Sequence, residues 1–158
     1  MAGKFPEAAG TVKKERSVRV MSNKKNVRIR ITSVAGQESI IQEASGELYI
    51  REGKVYVLYQ ETSEEMGSTS TMVKAGPEEL KITRKGQVGS EQTFVAGHSR
   101  TGWYRMPEGS IPMETRTRTY VRNLQDGIGV IDWSYDLYVG EEHAGLYTLS
   151  LTIQEDVR

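Results

Sequence analysis

"TRTRTYVRN", residues 115–123, alternates threonine and arginine. A strand sends successive side chains to opposite faces. Arg116, Arg118 and Arg122 therefore share one face, and Thr115, Thr117 and Thr119 share the other. Three arginines turned inward would anchor an anionic ligand, whereas three turned outward would form a solvated surface.

The next segment decides between these readings. "NLQDGIG" joins the stretch to "GIGVIDWSYDLYVG". Asp126-Gly127 can form a two-residue type I′ loop, or Gln125-Asp126-Gly127 a three-residue loop with the glycine in the left-handed position. A slip of one residue turns every side chain over. The two-residue loop sets Arg118 against Tyr135, Arg122 against Ile131 and Thr117 against Asp136. The three-residue loop sets Arg116 against Asp136, Arg118 against Ser134 and Tyr120 against Asp132. On its other face Thr115, Thr117, Thr119 and Val121 oppose Leu137, Tyr135, Trp133 and Ile131. This second register separates charge from apolar surface, and opposite-charge cross-strand pairs contribute roughly 0.2–1 kcal/mol each. It predicts that all three arginines are exposed and that Thr115, Thr117 and Thr119 face inward.

The period of two extends outward from this hairpin. "NVRIRITSV", "SIIQEASGELYIR", "KVYVLYQE", "STSTMVKAG", "ELKITRKG", "SEQTFVAG", "TGWYRMP" and "GLYTLSLTIQE" read as strands, with Gly46 a bend or bulge. No window carries apolar residues at helical spacing over three turns. Sixteen glycines punctuate the pattern. About ten strands with short connections predict an all-β fold: a single closed antiparallel up-and-down β-barrel, since closure removes the sheet edges. In "IREGKV" a two-residue loop would force Glu52 to positive φ, which glutamate disfavours. A three-residue loop Arg51-Glu52-Gly53 is therefore expected, pairing Leu48 with Tyr56 on the face of Ile40, Ala44 and Ile50. It leaves Tyr49, Val55, Val57 and Tyr59 on the opposite face, a large apolar group to leave outside.

The chain has 158 residues and as many acidic as basic side chains. That length suits one domain with a sizeable core. Residues 1–30 hold nine basic and two acidic residues, so the rest of the chain is acidic. Residues 1–24 lack a sustained period and are expected to be a flexible basic N-terminal arm, with Met21 offering a second start; residues 25–158 are expected to form the barrel. Without cysteine, disulfides, thiolate nucleophiles and thiolate metal sites are excluded. No apolar run is long enough for a transmembrane helix, and the first residues lack the apolar stretch of a secretory signal. A cytoplasmic protein that does not engage a membrane is expected.

Chemistry-bearing patterns are few. The two histidines, His98 and His143, stand at turns and cannot alone supply three zinc ligands. Ser99 follows His98 directly and is not posed for a triad. Asp132 and Asp136 lie four strand residues apart, about 13 Å, too far to act on one bond. There is no glycine-rich phosphate loop. The expectation is no enzyme, no metal and no cofactor. The aromatic residues carry more. Trp133, Tyr135 and Leu137, with Thr115, Thr117 and Thr119 facing them, and Trp103 and Tyr104 after the His98 loop, are the candidate lining of an apolar cavity; they would serve equally as core.

Three segments, "GKVYVLYQE", "YRMPEGSIPMETRT" and "IDWSYDLYVGEEHAGLYTLSLTI", resemble the YwiB-like family of uncharacterised bacterial β-barrel proteins. The features concerned are Tyr104, Pro107 and Gly109, the alternating threonine strand, and Tyr135, Asp136 and Gly140, within residues 26–154. The resemblance implies a closed antiparallel barrel of the lipocalin-like (calycin) type. It implies no activity and supplies no catalytic residues. The leading expectation is a non-enzymatic barrel that binds a small apolar molecule in its interior. The alternative is a protein- or RNA-binding module using the basic arm with Arg28, Arg30, Arg116, Arg118 and Arg122. The acidic body disfavours nucleic acid as that partner and favours a protein.

Overall fold

The computed structural model describes residues 24–157. Ten strands run in sequence: β1 (Lys25–Ala35), β2 (Glu38–Arg51), β3 (Lys54–Gln60), β4 (Thr69–Ala75), β5 (Leu80–Gly86), β6 (Gly89–Phe94), β7 (Ser99–Met106), β8 (Gly109–Gln125), β9 (Ile128–Val139) and β10 (Glu142–Glu155). Each pairs antiparallel with its neighbours in sequence, and β10 returns to β1, so the meander closes into the expected barrel. The arm expected over residues 1–24 lies outside the described residues except for Lys24, whose ammonium meets Glu47 at 3.3 Å. Gly46 needs no bulge: it pairs with Val27 and Tyr59, and a Cβ there would stand 2.8 Å from the Leu58 carbonyl oxygen.

The β8–β9 hairpin combines the two registers that the sequence offers. Its turn is the two-residue one. Asp126 and Gly127 have φ of 54° and 84°, and Gln125 pairs with Ile128. Aspartate tolerates the left-handed region better than most residues, and a two-residue turn of this hand matches the strand twist. This register holds as far as Thr119, which faces Ser134. A bulge at Arg118 then shifts the pairing, and Thr117 faces Tyr135, Arg116 faces Asp136 and Thr115 faces Leu137.

The bulge corrects two expectations. Thr119 is exposed rather than interior, and its hydroxyl meets that of Ser134 at 2.7 Å. Arg122 is half-buried rather than exposed, and its Nη1 donates to the carbonyls of Gly53 and Ala75 at 3.0 and 2.9 Å. Tyr120 turns inward with it and donates to the Gly76 carbonyl at 2.6 Å. The physical reason is apolar area. An uninterrupted alternation would bury Val121 and expose Tyr120. The bulge leaves the smaller Val121 56% exposed and packs Tyr120 and Leu124 against the core.

The β2–β3 hairpin also takes the tighter turn. Glu52 and Gly53 have φ of 52° and 79°, and Leu48 pairs with Val57, not Tyr56. A non-glycine residue in the left-handed region costs roughly 1–2 kcal/mol. The turn sends Val55, Val57 and Tyr59 into the core with Leu48, and each large side chain fully buried contributes about 1.5–3 kcal/mol. Burial wins. The outer face keeps Tyr49 and Tyr56, stacked with ring centroids 4.8 Å apart.

Arg116 and Arg118 point outward as expected. Arg118 grips Asp136 with Nε–Oδ2 2.8 Å and Nη2–Oδ1 3.3 Å. Exposed pairs of this kind contribute little to stability. Arg118→Ala is expected to leave the thermal midpoint essentially unchanged, whereas a marked drop would show that the pair holds the bulge.

Candidate ligand-binding interior

The inner wall is built in two layers by the period of two. The lower layer is apolar: Val27, Ile29, Leu48, Val57, Val73, Leu80, Ile82, Phe94, Ile131, Leu151 and Ile153 are buried. Trp133 stands in it at mid-height. Its ring lies 6.0 Å from Phe94, and Tyr135 lies 4.6 Å from Phe94 and 5.5 Å from Tyr147.

Two polar atoms interrupt this layer. Trp133 Nε1 and Thr117 Oγ1 are buried, their residues 2% and 4% exposed, and have no hydrogen-bond partner. Leaving a buried polar group unsatisfied costs about 1–3 kcal/mol. Thr115, by contrast, donates to the Thr93 carbonyl at 2.7 Å.

The upper layer is polar. Glu61 follows β3 in phase with Val55, Val57 and Tyr59, and Arg84 follows Leu80 and Ile82 on β5. Both therefore face inward. The Glu61 side chain is 1% exposed. Thr71 donates to its Oε2, Gln42 donates to Oε1 at 2.8 Å, and Arg84 Nε reaches Oε2 at 3.3 Å. Burial acts to raise the carboxyl pKa, but the hydrogen bonds from Thr71 and Gln42 and the Arg84 charge and hydrogen bond together hold it below the ordinary glutamate range. Burial, with the nearby Glu61 charge, pushes the Tyr59 hydroxyl pKa strongly up. Burial also pushes Tyr135 up to about 12, opposed by Arg84. Around this layer Ile31, Leu137, Tyr147 and Leu149 are only partly buried although they pack on the core, so the barrel is open at this end.

A family described as a domain of unknown function (DUF1934) matches residues 26–151. The chain belongs to this family. An uncharacterised β-barrel protein, YwiB of Bacillus subtilis (strain 168), is 31% identical over 129 residues, which is 82% of this chain and 90% of that protein. The crystal structure of the ywiB protein from Bacillus subtilis superposes with a TM-score of 0.79 at 28% identity, over 89% of this chain and 99% of the other.

Within this DUF1934 barrel, Trp133, Tyr135, Thr115 and Thr117 come together in the core, as the alternation predicts. Leu137 and Tyr104 lie half-buried on the inner face, Tyr104 opposite Ser90 and Ile111. Trp103 points outward, 39% exposed, and Thr119 lies outside beyond the bulge, so neither lines the interior. Among the described residues, surface clefts include one of about 560 Å³ between the β1–β2 and β9–β10 turns and one of about 380 Å³ at the β4–β5 turn; Trp133, Thr117 and Tyr135 line neither.

Four outer arginines of the DUF1934 barrel, Arg28, Arg30, Arg116 and Arg118, are paired with carboxylates. Arg30 meets Glu43 at 2.8 Å, Arg28 meets it at 3.9 Å, and Arg116 meets Glu114 at 3.2 Å while its guanidinium lies 4.0 Å from the Tyr138 ring centre. His143 joins Asp136 at 2.9 Å. No group of three or more metal-ligating side chains occurs among the described residues, and no helix among them is long and apolar enough to cross a membrane.

Sequence reasoning missed Arg84 and Glu61. The signal was there: each occupies the apolar phase of its own strand, where a charged residue must be accounted for. Glu61 makes a pH-dependent contribution whose sign follows from its lowered pKa. That contribution is present above the unfolded-state value of about 4.3 and is lost as pH falls through the folded-state value. Wild type is therefore expected to lose stability more steeply than Glu61→Gln between about pH 5 and pH 3, read by urea melts. Equal slopes would contradict the ionised assignment.

Proposed function

We propose that this DUF1934 barrel is a non-enzymatic, cytoplasmic binding protein that holds one small, largely apolar molecule against its inner wall. It would use its interior as lipocalin-like barrels do. One observation carries the reading. Trp133 Nε1 and Thr117 Oγ1 are unpartnered in the inner wall, a cost that a wall shaped for stability alone would avoid, and a molecule seated above them would bury its apolar body against that wall. Partly buried Ile31, Leu137, Tyr147 and Leu149 lead from that point to the open end. Burial of apolar area drives such binding at roughly 25 cal/mol per Å² before association costs are subtracted.

The test is a titration with N-phenyl-1-naphthylamine, a neutral dye that brightens in apolar surroundings. In a Trp103→Phe variant Trp133 is the sole tryptophan. Quenching of Trp133 with matching dye emission, saturating at one dye per chain, supports the reading. An unquenched Trp133 contradicts it.

A further inference from the structure

Four of the outer arginines are ion-paired on the surface, but Arg84 stands inside. Its neighbours across the hydrogen-bond ladders, Thr71 and Ser90, are 0% and 1% exposed, yet its own side chain keeps 22% exposure. A residue on an inner wall can meet solvent only through the open end. Its charge opposes the upward pKa shift that burial gives the hydroxyls of both Tyr59 on β3 and Tyr135 on β9.

The guanidinium has five N–H donors. Among the described residues it makes two hydrogen bonds, both long: Nε to Glu61 at 3.3 Å and Nη1 to Ser90 Oγ at 3.4 Å. Three donors remain. Glu61 is in turn fixed by Thr71 and Gln42. It grips Arg84 by the Nε side and leaves the Nη groups to present a planar fork. A guanidinium edge held in this way matches the two oxygens of a carboxylate.

We propose that the ligand of this barrel is a small carboxylate with an apolar body, its carboxylate paired with Arg84 and its body packed on Leu137, Tyr147 and Leu149 above Trp133. This inference rests on the binding function proposed above and adds the headgroup. Glu61 is a positioning residue: it aims Arg84 without touching the ligand. It also sets the strength of the pair, since its charge already neutralises part of the guanidinium.

The experiment measures displacement of N-phenyl-1-naphthylamine by octanoate and by octanamide, which share a chain and differ in the headgroup charge. Wild type is expected to prefer octanoate by about 10-fold or more, as charge-assisted bidentate pairs require. Arg84→Met leaves Glu61 buried without its cation, so the double variant Arg84→Met/Glu61→Gln serves as the folded comparison. It is expected to lose the preference while keeping its affinity for octanamide. Glu61→Gln alone is expected to widen the preference, an effect that loss of structure would not produce. Equal binding of octanoate and octanamide by wild type overturns the Arg84 assignment and leaves the binding function standing. If the dye and both chains fail to bind, the binding function falls and the carboxylate assignment with it.

Discussion

Thr117→Arg is expected to prevent cooperative folding. Thr117 is 4% exposed and faces Tyr135 beside the Phe94–Trp133 cluster. A guanidinium there has neither water nor a carboxylate, and burying an unpaired charge places a substitution in the severe class, above about 4 kcal/mol. Most domains have only about 5–15 kcal/mol in reserve. Thr119→Arg is the matched control. In an uninterrupted strand it would be as harmful, because residues 117 and 119 would share a face. Across the bulge Thr119 lies outside, so Thr119→Arg is expected to melt close to wild type. Equal damage from the two substitutions, read by urea unfolding followed by circular dichroism, would contradict the bulge.

Arg84→Met is expected to have the second-largest effect. It strands the Glu61 carboxylate, 1% exposed, with Thr71 and Gln42 as its remaining donors. Removing one member of a buried ion pair typically costs about 3–5 kcal/mol, whereas replacing both members is often close to neutral. The double variant Arg84→Met/Glu61→Gln is therefore expected to regain most of the loss. This rescue is the signature of direct coupling. If the double variant is as unstable as the single one, or worse, Arg84 contributes through its packing and the ion pair is incidental.

The closed ten-strand meander was legible because period two ran almost without interruption from residue 26 onward. Thr115, Thr117 and Tyr135 were placed correctly because their register held on the far side of the bulge, and Trp133 because β9 keeps its alternation although Tyr120, not Thr119, faces it. Thr119 and Arg122 were misplaced for one physical reason. The hairpin satisfies two demands that no single register meets, a two-residue Asp126-Gly127 turn at one end and the Thr117–Tyr135 pairing at the other. A bulge absorbs the difference. At Glu52 the local cost of positive φ is outweighed by the burial of Val55, Val57 and Tyr59, which depends on the tighter turn. Arg84 and Glu61 are overshadowed in the sequence by the stronger alternation of β8. A lone charged residue in the apolar phase of a short strand is a quieter signal, and here it marks the only described ion pair with both members on the inner wall.

The interior position of the ligand is the central claim, and the indole N–H of Trp133 reports on it directly. In a ¹⁵N-labelled Trp103→Phe protein only one indole resonance remains, and it belongs to a buried donor without a partner. Titration with octanoate is expected to move that resonance saturably, with one molecule bound per chain. A Trp133 indole resonance unmoved at octanoate concentrations that displace the dye would place the binding site elsewhere and contradict the account.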